Sequence, residues 1–530
     1  TNVNTVSSKG KRVHIPKITL HEYLWRNLDK WSNKTAIICF ETQRSYTYNE
    51  LYKRSLSVTR FLKESLKLES QDTVGLILQN LPEYPIVLLG AIQAGLKVTT
   101  CNPTYTIAEI KNQLQASKTR LIFTSSNLLP IVQQAVTSIN ENIPIVEITL
   151  QNGVSSNTIS FKEISSGEGC KPVDVDVNET ILLPYSSGTT GLPKGVQLSH
   201  FNIVANLCQI TAPEFSLLRA GYEEQDVVPA FLPFFHIYGL TIVMLKALSM
   251  GAKLVAMPAF TSDNFIKLLQ NFKPTVVYGI PLVVTMATNN PNIKTEDLSC
   301  IRILMSGAAP LGATDVERFV AKTKNKVNLY QGYGMTETSP LTLVQTKELE
   351  HGLKIGGSGF LIPNTDAKII STDGSSSIGL SPNQSGELVM QGYYNNPQSN
   401  KEIFLEGGWI KTGDIAHYDE HEHFYITDRL KELIKVKGFQ VAPAELEEIL
   451  RNYPGVEDAA VIGVPHPVHG EVPKAFVVTK AGESIKPRHL EEFVAAKVAK
   501  HKHLTGGVVL METIPKSASG KILRRELRKL

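Results

Sequence analysis

The stretch Tyr185-Ser186-Ser187-Gly188-Thr189-Thr190-Gly191-Leu192-Pro193-Lys194-Gly195 decides which fold the sequence predicts. Its three glycines permit close approach of the backbone to a ligand, and its four Ser and Thr hydroxyls and one Lys ammonium can donate to anionic oxygen. This composition is typical of a phosphate-binding loop, although most Gly/Ser/Thr stretches are plain surface loops. Pro193 and Gly195 break the Walker A pattern. The alternation Val196-Gln197-Leu198 predicts a strand, and Ser199 is the predicted N-cap of the next helix.

Length and composition limit the possible classes of protein. At 530 residues the chain should divide into at least two domains, because single cores stop growing near ~250 to 300 residues. A net charge of +4 gives no reason to expect nucleic acid as a partner. The five cysteines are scattered and form no CxxC pair, so we expect reduced thiols in an intracellular protein.

Targeting and membrane signals are weak in this sequence. No apolar run reaches the roughly 18 to 20 residues that would span a bilayer, because Lys97, Lys246 and Lys253 interrupt the candidates. The final tripeptide Arg528-Lys529-Leu530 ends in the Lys-Leu of a peroxisomal address but lacks its small first residue. The sequence therefore leaves a cytoplasmic and a peroxisomal location open.

Strand and helix patterns alternate along most of the chain. The apolar run Val74 to Leu78 predicts a buried parallel strand, and Tyr84 to Leu96 has a helical pattern. Similar pairs follow on both sides of the loop at 185–195, which indicates βαβ units in an α/β fold. Short strands with intervening glycines from Ile355 to Met390 predict a small β-barrel or meander. The last hundred residues predict a separate α+β unit.

A second motif, Tyr330-Gln331-Gly332-Tyr333-Gly334-Met335-Thr336-Glu337, follows an apolar run. It is predicted at the carboxyl end of a strand, where open α/β sheets bind ligands. The ring of Tyr333 can lie against a purine, Thr336 can donate to a phosphate, and Glu337 can hold Mg²⁺. Alone, such a turn is more often structural.

Six further motifs extend from the middle of the chain to its end. They are Leu232-Pro233-Phe234-Phe235-His236-Ile237-Tyr238-Gly239, Ser306-Gly307-Ala308-Ala309-Pro310-Leu311-Gly312, Trp409-Ile410-Lys411-Thr412-Gly413-Asp414, Ile426-Thr427-Asp428-Arg429, the run from Lys435 to Glu445, and Pro515-Lys516-Ser517-Ala518-Ser519-Gly520-Lys521. In this order, with the two motifs above, they resemble the adenylate-forming superfamily over residues 20–530. Within it, the chain is similar to the acyl-CoA synthetases of the 4-coumarate:CoA ligase and beetle luciferase branch.

The resemblance implies a fold and a division of the chain. A large N-terminal domain of doubly wound sheets plus a small β-barrel would occupy residues 1–429. A small, mobile α+β lid would occupy residues 430–530, with Lys431 as the hinge.

The resemblance also implies the nucleotide site. The residues expected to bind ATP and AMP are Ser186, Ser187, Gly188, Thr189, Thr190, Gly191, Lys194, Ala309, Gln331, Gly332, Tyr333, Thr336, Asp414, Ile426, Arg429, Lys431, Lys435 and Lys521. Glu337 would hold Mg²⁺, and the Asp414 carboxylate can accept both ribose hydroxyls. The residues expected to take part in catalysis are Lys521, Lys435, His236, Thr336 and Glu337.

An acyl pocket is implied in the same way. Its expected residues are His236, Ile237, Tyr238, Met305, Gly307, Ala308, Gly332 and Pro340. Amino-acid-activating relatives have Asp at the position of Ile237. Plant coumarate ligases have Lys at the position of Met305 and a basic residue at the position of Ala259. Luciferases have Arg at the position of Asn206. We therefore expect an apolar fatty or aryl acid, which would place the protein in fatty acid metabolism.

The expected reaction has two steps. The carboxylate attacks the α-phosphorus of ATP to give acyl-AMP and pyrophosphate, and the thiol of coenzyme A, bound near Lys437 and Gly438, then displaces AMP. The alternatives are 4-coumarate:CoA ligase proper, a luciferase-type oxygenase, a non-catalytic acyl-adenylate binder and a P-loop NTPase. The expected partners are small molecules, and the expected oligomeric state is a monomer or weak dimer.

Overall fold

The computed structural model describes residues 4–139, 142–149, 155–186, 194–222, 224–372, 378–391, 404–436, 439–467, 469–517 and 520–530. For Ser186, Lys194, Gln391 and Gln440 only the backbone is described. In this part of the chain the strands form six sheets. The α/β prediction is confirmed, because parallel sheets alternate with helices through the large N-terminal part.

The first sheet is parallel except at one edge, where Leu198–Ser199 runs antiparallel to its neighbour. Its strands lie in the order Leu198–Ser199, Thr180–Leu182, Lys97–Cys101, Thr73–Ile77, Thr119–Ser125, Ile145–Ile148 and Ile159–Ser160. The helices of this region are Leu20–Trp25, Leu28–Trp31, Tyr48–Arg60, the π-helix Phe61–Ser65, Tyr84–Gln93, Ile107–Ala116, Leu129–Ile139, Phe161–Ile164 and His200–Ile210.

Helix starts follow the local sequence closely. The helix Tyr48–Arg60 begins after Thr47, whose hydroxyl accepts the Glu50 N–H while the Glu50 carboxylate accepts the Thr47 N–H. Ser199 is the N-cap of His200–Ile210, as its position predicts. The strand predicted at 196–198 is wrong in its bounds. Lys194–Gly195 instead pairs with Tyr185–Ser186, and this hairpin closes the base of the loop at 187–193.

Two more sheets complete the α/β part. One has the order Val227–Ala230, Lys253–Ala256, Thr35–Cys39 and Ser45–Thr47, and the other the order Val276–Gly279, Ile303–Ser306, Asn328–Gly334, Leu341–Val344 and Phe360–Leu361. The helical segments beside them are the π-helix Tyr238–Leu245, the α-helices Lys246–Ser249, Ser262–Phe272, Pro281–Asn289 and Ala313–Lys322, and the 3₁₀ turns Asp297–Cys300 and Thr336–Thr338.

The strand Asn328–Gly334 changes partners along its length. Its first half is parallel to Ile303–Ser306, and from Gly332 onward it is antiparallel to Leu341–Val344. The motif predicted to follow this strand therefore begins inside it. The change of partner directs Tyr333 toward the antiparallel sheet that comes next in the chain, where its ring packs against that sheet's core.

That antiparallel sheet corresponds to the predicted barrel. Its order is Val6–Ser7, Asp366–Ile370, Gly386–Gln391, Trp409–Tyr418 and Phe404–Leu405, with Phe424–Arg429 also paired to Trp409–Tyr418. Two strands of this sheet contact the segment around Phe360–Leu361. Gly359 forms a bridge with Phe424, and the Ser8 hydroxyl donates to the Leu361 carbonyl at 2.8 Å.

The chain from Ile434 onward, here called the C-terminal unit, has hydrophobic clusters of its own. Its sheet has the order Phe439–Val441, Ile434–Val436, Gly470–Thr479 and Val456–His466, with Val508–Leu510 added in parallel. Its helices are Pro443–Arg451, Pro487–Ala495 and Arg524–Leu527, and Lys500–Lys502 is a 3₁₀ turn. In the described residues, no helix is long and apolar enough to cross a membrane.

A buried carboxylate joins the starts of three strands in the large part. Asp226 accepts hydrogen bonds from the Thr275 hydroxyl and from the Arg219 N–H, each at 2.7 Å, and it pairs with Arg302 at 3.1 Å. Only 2% of the Asp226 side chain is exposed. A buried charge is tolerated only when it is paired and hydrogen-bonded, and removing Asp226 would take the anionic partner from Arg302, which would keep its 3.0 Å hydrogen bond to the Leu217 carbonyl, and the short-range acceptor from the Thr275 hydroxyl and the Arg219 N–H.

We therefore expect Asp226→Ala to destabilise the large part by about 3 kcal/mol, the lower end for one partner of a buried pair, because Arg302 keeps some contact with water. The measurement is urea unfolding followed by tryptophan fluorescence, since Trp25, Trp31 and Trp409 all lie outside the C-terminal unit. Arg60→Ala, which removes an exposed i,i+4 pair with Glu64, is the matched control and should leave the midpoint unchanged. Equal midpoints for the two variants would contradict the prediction.

Candidate active site

Asp414 lies where two antiparallel strands and the glycine-rich strand meet. In the pair Trp409–Tyr418 and Phe424–Arg429, Asp414 stands opposite Arg429, whose Nε is 3.6 Å from one carboxylate oxygen. The other oxygen accepts a 2.5 Å hydrogen bond from the Tyr333 hydroxyl. Burial raises the Asp414 pKa, and Arg429 and Tyr333 act in the opposite direction. The sequence predicted Tyr333 and Asp414 as ligands of the same nucleotide, and the structure brings them into direct contact.

The C-terminal unit supplies a cation to this site. The ammonium of Lys521 interacts electrostatically with Asp414, Glu337 and Arg429. The Lys521 pKa is lowered to about 8, because burial and the charge of Arg429 together outweigh the opposite effect of Asp414 and Glu337. Burial also raises the pKa of the Glu337 carboxyl, and the positive charge of Lys521 acts in the opposite direction. Two carboxylates and two cations thus lie together at the end of the sheet.

The backbone before Lys521 explains how this side chain reaches the site. The Lys521 N–H donates to the Ser517 hydroxyl at 3.1 Å, and the Ser517 N–H donates to the Lys521 carbonyl at 2.8 Å. Gly520 between them has φ +80°, and a Cβ there would come within 2.5 Å of Ile280 Cδ1. Glycine is therefore needed both for the left-handed backbone and for the close approach to Ile280.

His236 is a neutral neighbour of these charges. Burial lowers the pKa of its imidazole to about 3, and the charge of Lys521 acts in the same direction. Its Nδ1 accepts the Tyr238 N–H at 3.3 Å, so the proton of the neutral ring is assigned to Nε2.

The residues predicted for the acyl pocket pack against one another. The Tyr238 hydroxyl lies 3.3 Å from the Gly279 carbonyl and 3.4 Å from the Met305 carbonyl. A Cβ on Gly307 would lie 3.1 Å from the Tyr238 ring, and one on Gly332 would lie 2.2 Å from Met305 Cε. These two glycines therefore make room for Tyr238 and Met305.

The remaining acyl-pocket residues lie beside this group. Ile237 is buried, Pro340 is buried after the cis bond from Ser339, and Ala308 has φ +68°. Asn206 donates to the Leu341 carbonyl at 2.8 Å and accepts its N–H at 3.3 Å. Its amide is therefore engaged with the backbone of the strand that follows Pro340.

Gln331 links two of the predicted nucleotide-binding segments. Its side-chain oxygen accepts the Leu311 N–H at 3.2 Å, which fixes the segment that contains Ala309. Thr336 lies in the 3₁₀ turn Thr336–Thr338 and Ile426 in the strand Phe424–Arg429. Both side chains are partly exposed.

Lys435 and Lys431 are not gathered with the other predicted residues. Lys435 is exposed on the strand Ile434–Val436, and its N–H donates to the Glu471 carboxylate at 2.9 Å. Lys431 is exposed in the turn after Arg429. Lys521 is thus the C-terminal lysine that acts on Glu337 and Asp414 in this structure.

Part of the predicted nucleotide and coenzyme A sites lies outside the described residues. This applies to Ser187, Gly188, Thr189, Thr190 and Gly191 and to Lys437 and Gly438. For Ser186 and Lys194, the backbone pairing at the base of the loop is described.

Contacts that hold the C-terminal unit against the large part were not predicted. Asp428 accepts the Ala444 N–H at 3.0 Å, and burial raises its pKa to about 6. Glu448 approaches the Ala313 N–H at 3.4 Å, at the start of the helix Ala313–Lys322. The second pair is 135 residues apart, and no local pattern marks such a contact.

Comparisons with known proteins agree with the geometry. Residues 24–396 match the family described as AMP-binding enzyme, and residues 445–521 match the AMP-binding enzyme C-terminal domain. The chain is 37% identical to 4-coumarate–CoA ligase 3 of Oryza sativa subsp. japonica over 96% of this chain and 92% of that protein. It is also 37% identical to 4-coumarate–CoA ligase 1 of Arabidopsis thaliana, over 98% and 94% of the two chains.

Solved structures show the same fold. A benzoate CoA ligase from Burkholderia xenovorans LB400 superposes with a TM-score of 0.84 at 26% identity, covering 96% of this chain and 100% of the other. ATP-bound MatB from Rhodopseudomonas palustris gives a TM-score of 0.85 over 97% and 99% of the two chains, and its 24% identity supports the fold alone. The chain belongs to the AMP-binding enzyme family and is an AMP-forming acyl-CoA synthetase of the adenylate-forming superfamily, similar to 4-coumarate:CoA ligase.

Proposed function

We propose that this ligase activates a carboxylic acid at the site formed by Glu337, Asp414, Arg429 and Lys521. An oxygen of the substrate carboxylate attacks the α-phosphorus of ATP, the bond to the β-phosphate oxygen breaks, and acyl-AMP and pyrophosphate form. The thiol of coenzyme A then attacks the acyl carbon, its proton is lost, and AMP leaves as the thioester forms. Neither step needs a side-chain nucleophile.

The observation that carries the proposal is the position of Lys521. Its ammonium acts on Glu337 and Asp414, which come from two separate segments of the large part. A cation fixed there is suited to the negative charge that develops on the α-phosphate, and preorganised charge stabilisation is the main way such sites accelerate phosphoryl transfer. His236 stays neutral beside it, so it adds no positive charge to those of Lys521 and Arg429.

The AMP half of the nucleotide is assigned to the neighbouring residues. Asp414, oriented by Tyr333 and Arg429, has oxygen lone pairs to accept the ribose hydroxyls. Thr336 is placed to donate to the phosphate. The loop at 187–193, with Ser186 and Lys194 at its base, is assigned to the β- and γ-phosphates.

Mg²⁺ is proposed at Glu337. Magnesium binds through one or two carboxylates together with substrate phosphates, so a single partly exposed carboxylate is a suitable donor set. In the described residues, no group of three or more His, Cys, Asp or Glu side chains could hold a metal without such phosphates. When bound, the ion would neutralise phosphate charge.

A rotation of the C-terminal unit about Lys431 is proposed to separate the two steps. Lys435 is exposed and distant in sequence from Lys521. In the alternative orientation of the C-terminal unit, the face that carries Lys435 would meet the adenylate. Lys437 and Gly438 would then meet coenzyme A. For the acid, Ile237 and Met305 favour an apolar group beside the carboxylate, because neither side chain can pair with an ammonium or a phenol.

The first prediction from this proposed function concerns the products of the reaction. Incubation with ATP, Mg²⁺ and a panel of fatty and aryl acids should release pyrophosphate in an acid-dependent way, and chromatography should show AMP as the nucleotide product. Adding coenzyme A should convert the bound acyl-AMP to thioester. Accumulation of ADP and orthophosphate would contradict the proposal and favour a P-loop type of hydrolysis.

The second prediction concerns the two lysines. Lys521→Ala should slow acyl-AMP formation by on the order of 10² to 10³, the usual cost of removing one preorganised charge-stabilising donor, and should still convert supplied acyl-AMP to thioester. Lys435→Ala should form acyl-AMP at a normal rate and be slow with coenzyme A. Single-turnover measurement of each half-reaction provides the comparison.

Lys516→Ala is the matched control for these variants. Lys516 lies five residues before Lys521 and pairs with Asp458 at 2.6 Å within the C-terminal unit, so both half-reactions should change by less than about threefold. Equal losses in both half-reactions for Lys521→Ala and Lys435→Ala would contradict the rotation.

The third prediction concerns pH. The Lys521 pKa of about 8 lies below its ordinary 10.5, so the ammonium is present below pH 8 and is lost as the pH rises through that value. We expect kcat/KM for ATP in the adenylation step to fall about tenfold per pH unit above this point, because kcat/KM reports groups of the free enzyme. Lys521→Arg should remove this decline even if its rate is lower, since a guanidinium stays charged. A flat wild-type profile between pH 7 and 10 would refute the assignment.

A further inference from the structure

Lys246 is buried in an apolar region. The residue is 1% exposed. Its Nζ lies 5.8 Å from the centroid of the Tyr278 ring. Burial lowers its pKa to about 7. A lysine side chain is almost never fully buried unless it is paired, so this position needs an explanation.

Two buried hydroxyl groups nearby lack a hydrogen-bond partner in the described part of the chain. The Tyr278 hydroxyl and the Thr241 hydroxyl are both fully buried, and neither finds a donor or acceptor among the described residues. Thr241 lies one π-helical turn before Lys246, whose N–H donates to the Thr241 carbonyl. Most buried polar groups in proteins are hydrogen-bonded, so two unpartnered hydroxyls on the elements that carry or contact a buried lysine indicate a missing ligand.

The helix that carries Lys246 begins at the proposed acyl pocket. The π-helix Tyr238–Leu245 starts with the tyrosine whose hydroxyl lies beside the Gly279 and Met305 carbonyls, and Lys246 follows its last residue. At the α-helical rise of 1.5 Å per residue, eight residues span at most about 12 Å. Lys246 therefore lies at most about 12 Å from Tyr238 along the helix axis.

The sheet that contains Tyr278 also carries predicted acyl-pocket residues. Tyr278 is directly paired with Met305 in parallel register, so the two side chains project from the same face. Met305 Cε in turn lies against Gly332. The Tyr278 side chain, with the Lys246 ammonium over its ring, therefore stands on the sheet face that carries the predicted acyl-pocket residues.

From this juxtaposition we propose that Lys246, Tyr278 and Thr241 form the distal end of the acyl site and bind a second carboxylate, so that the preferred substrate is a dicarboxylic acid with an apolar chain. The assignment rests on the proposed ligase function. An ammonium and two hydroxyls can all donate to one carboxylate, which has up to four acceptor positions. Ile237 and Met305 would contact the apolar chain between the two carboxylates.

The test compares acids of equal length that differ only at the far end. Hexanoate, octanoate and decanoate are paired with hexanedioate, octanedioate and decanedioate, and 8-hydroxyoctanoate is added, with pyrophosphate release as the measurement. At one length or more, kcat/KM for the diacid should exceed that of the monoacid at least tenfold. Lys246→Met, which keeps the apolar volume, should lower diacid turnover roughly ten- to a hundredfold and favour the monoacid.

Tyr278→Phe keeps the test decisive if the lysine variant does not fold. It removes only a hydroxyl that has no partner among the described residues, so folding should be unaffected, while kcat/KM for the diacid should fall about tenfold and that for the monoacid should change less than about twofold. Tyr84→Phe is the matched control, because it removes another buried, unpartnered hydroxyl, on the helix Tyr84–Gln93, and should change neither value.

Monoacids favoured at every length would overturn the dicarboxylate assignment and leave the ligase function intact, provided that AMP and pyrophosphate are released. A preference for 8-hydroxyoctanoate over both eight-carbon acids, or a diacid preference unchanged in Tyr278→Phe, would also overturn it. Failure of every acid to give AMP would overturn the ligase proposal as well.

Discussion

The clustering of Glu337, Asp414, Arg429 and Lys521 is the constraint on which the proposed active site depends. Each of these groups is costly to remove from water. Burial raises the pKa of Asp414 and Glu337 and lowers the pKa of Lys521, and each shift favours the neutral form of the group. The opposing charges offset that cost only while all four segments remain together. Docking of the C-terminal loop is therefore coupled to the charge balance of the large part.

This coupling gives the proposed rotation of the C-terminal unit a physical basis. Lys521 reaches the carboxylates through a glycine that fits against Ile280, and Asp428 and Glu448 accept backbone N–H groups across the same junction. The contacts of Asp428 and Glu448 are polar, whereas the C-terminal unit has its own hydrophobic clusters. A unit with its own core can move as a body, and polar contacts at a junction can be exchanged for water or for a bound nucleotide at modest net cost.

The acyl side of the site combines two kinds of surface. Ile237, Met305 and the tightly packed Tyr238 form an apolar region. Lys246, Tyr278 and Thr241 are buried as well, and the hydroxyls of Tyr278 and Thr241 find no partner among the described residues. The same π-helix explains both, because it places Tyr238 at its start and Lys246 just after its end. In the sequence, Lys246 only interrupts an apolar run. Its position beside Tyr278 became visible from the packing of that helix against the sheet.

Local sequence determined the helix starts, the order of the motifs and the family, because capping boxes, glycine turns and hydroxyl-rich loops act over a few residues. Ser199 begins its helix as predicted, and Thr47 with Glu50 begins the helix Tyr48–Arg60 through an equally local capping box. Only the tertiary structure decided that the strand Asn328–Gly334 changes from parallel to antiparallel pairing, that Tyr333 donates to Asp414, and that Lys521 rather than Lys435 faces the carboxylates. The last two outcomes depend on contacts between residues 81 or more positions apart, as Tyr333 and Asp414 are, and on the balance of charge burial against pairing, which no local pattern encodes.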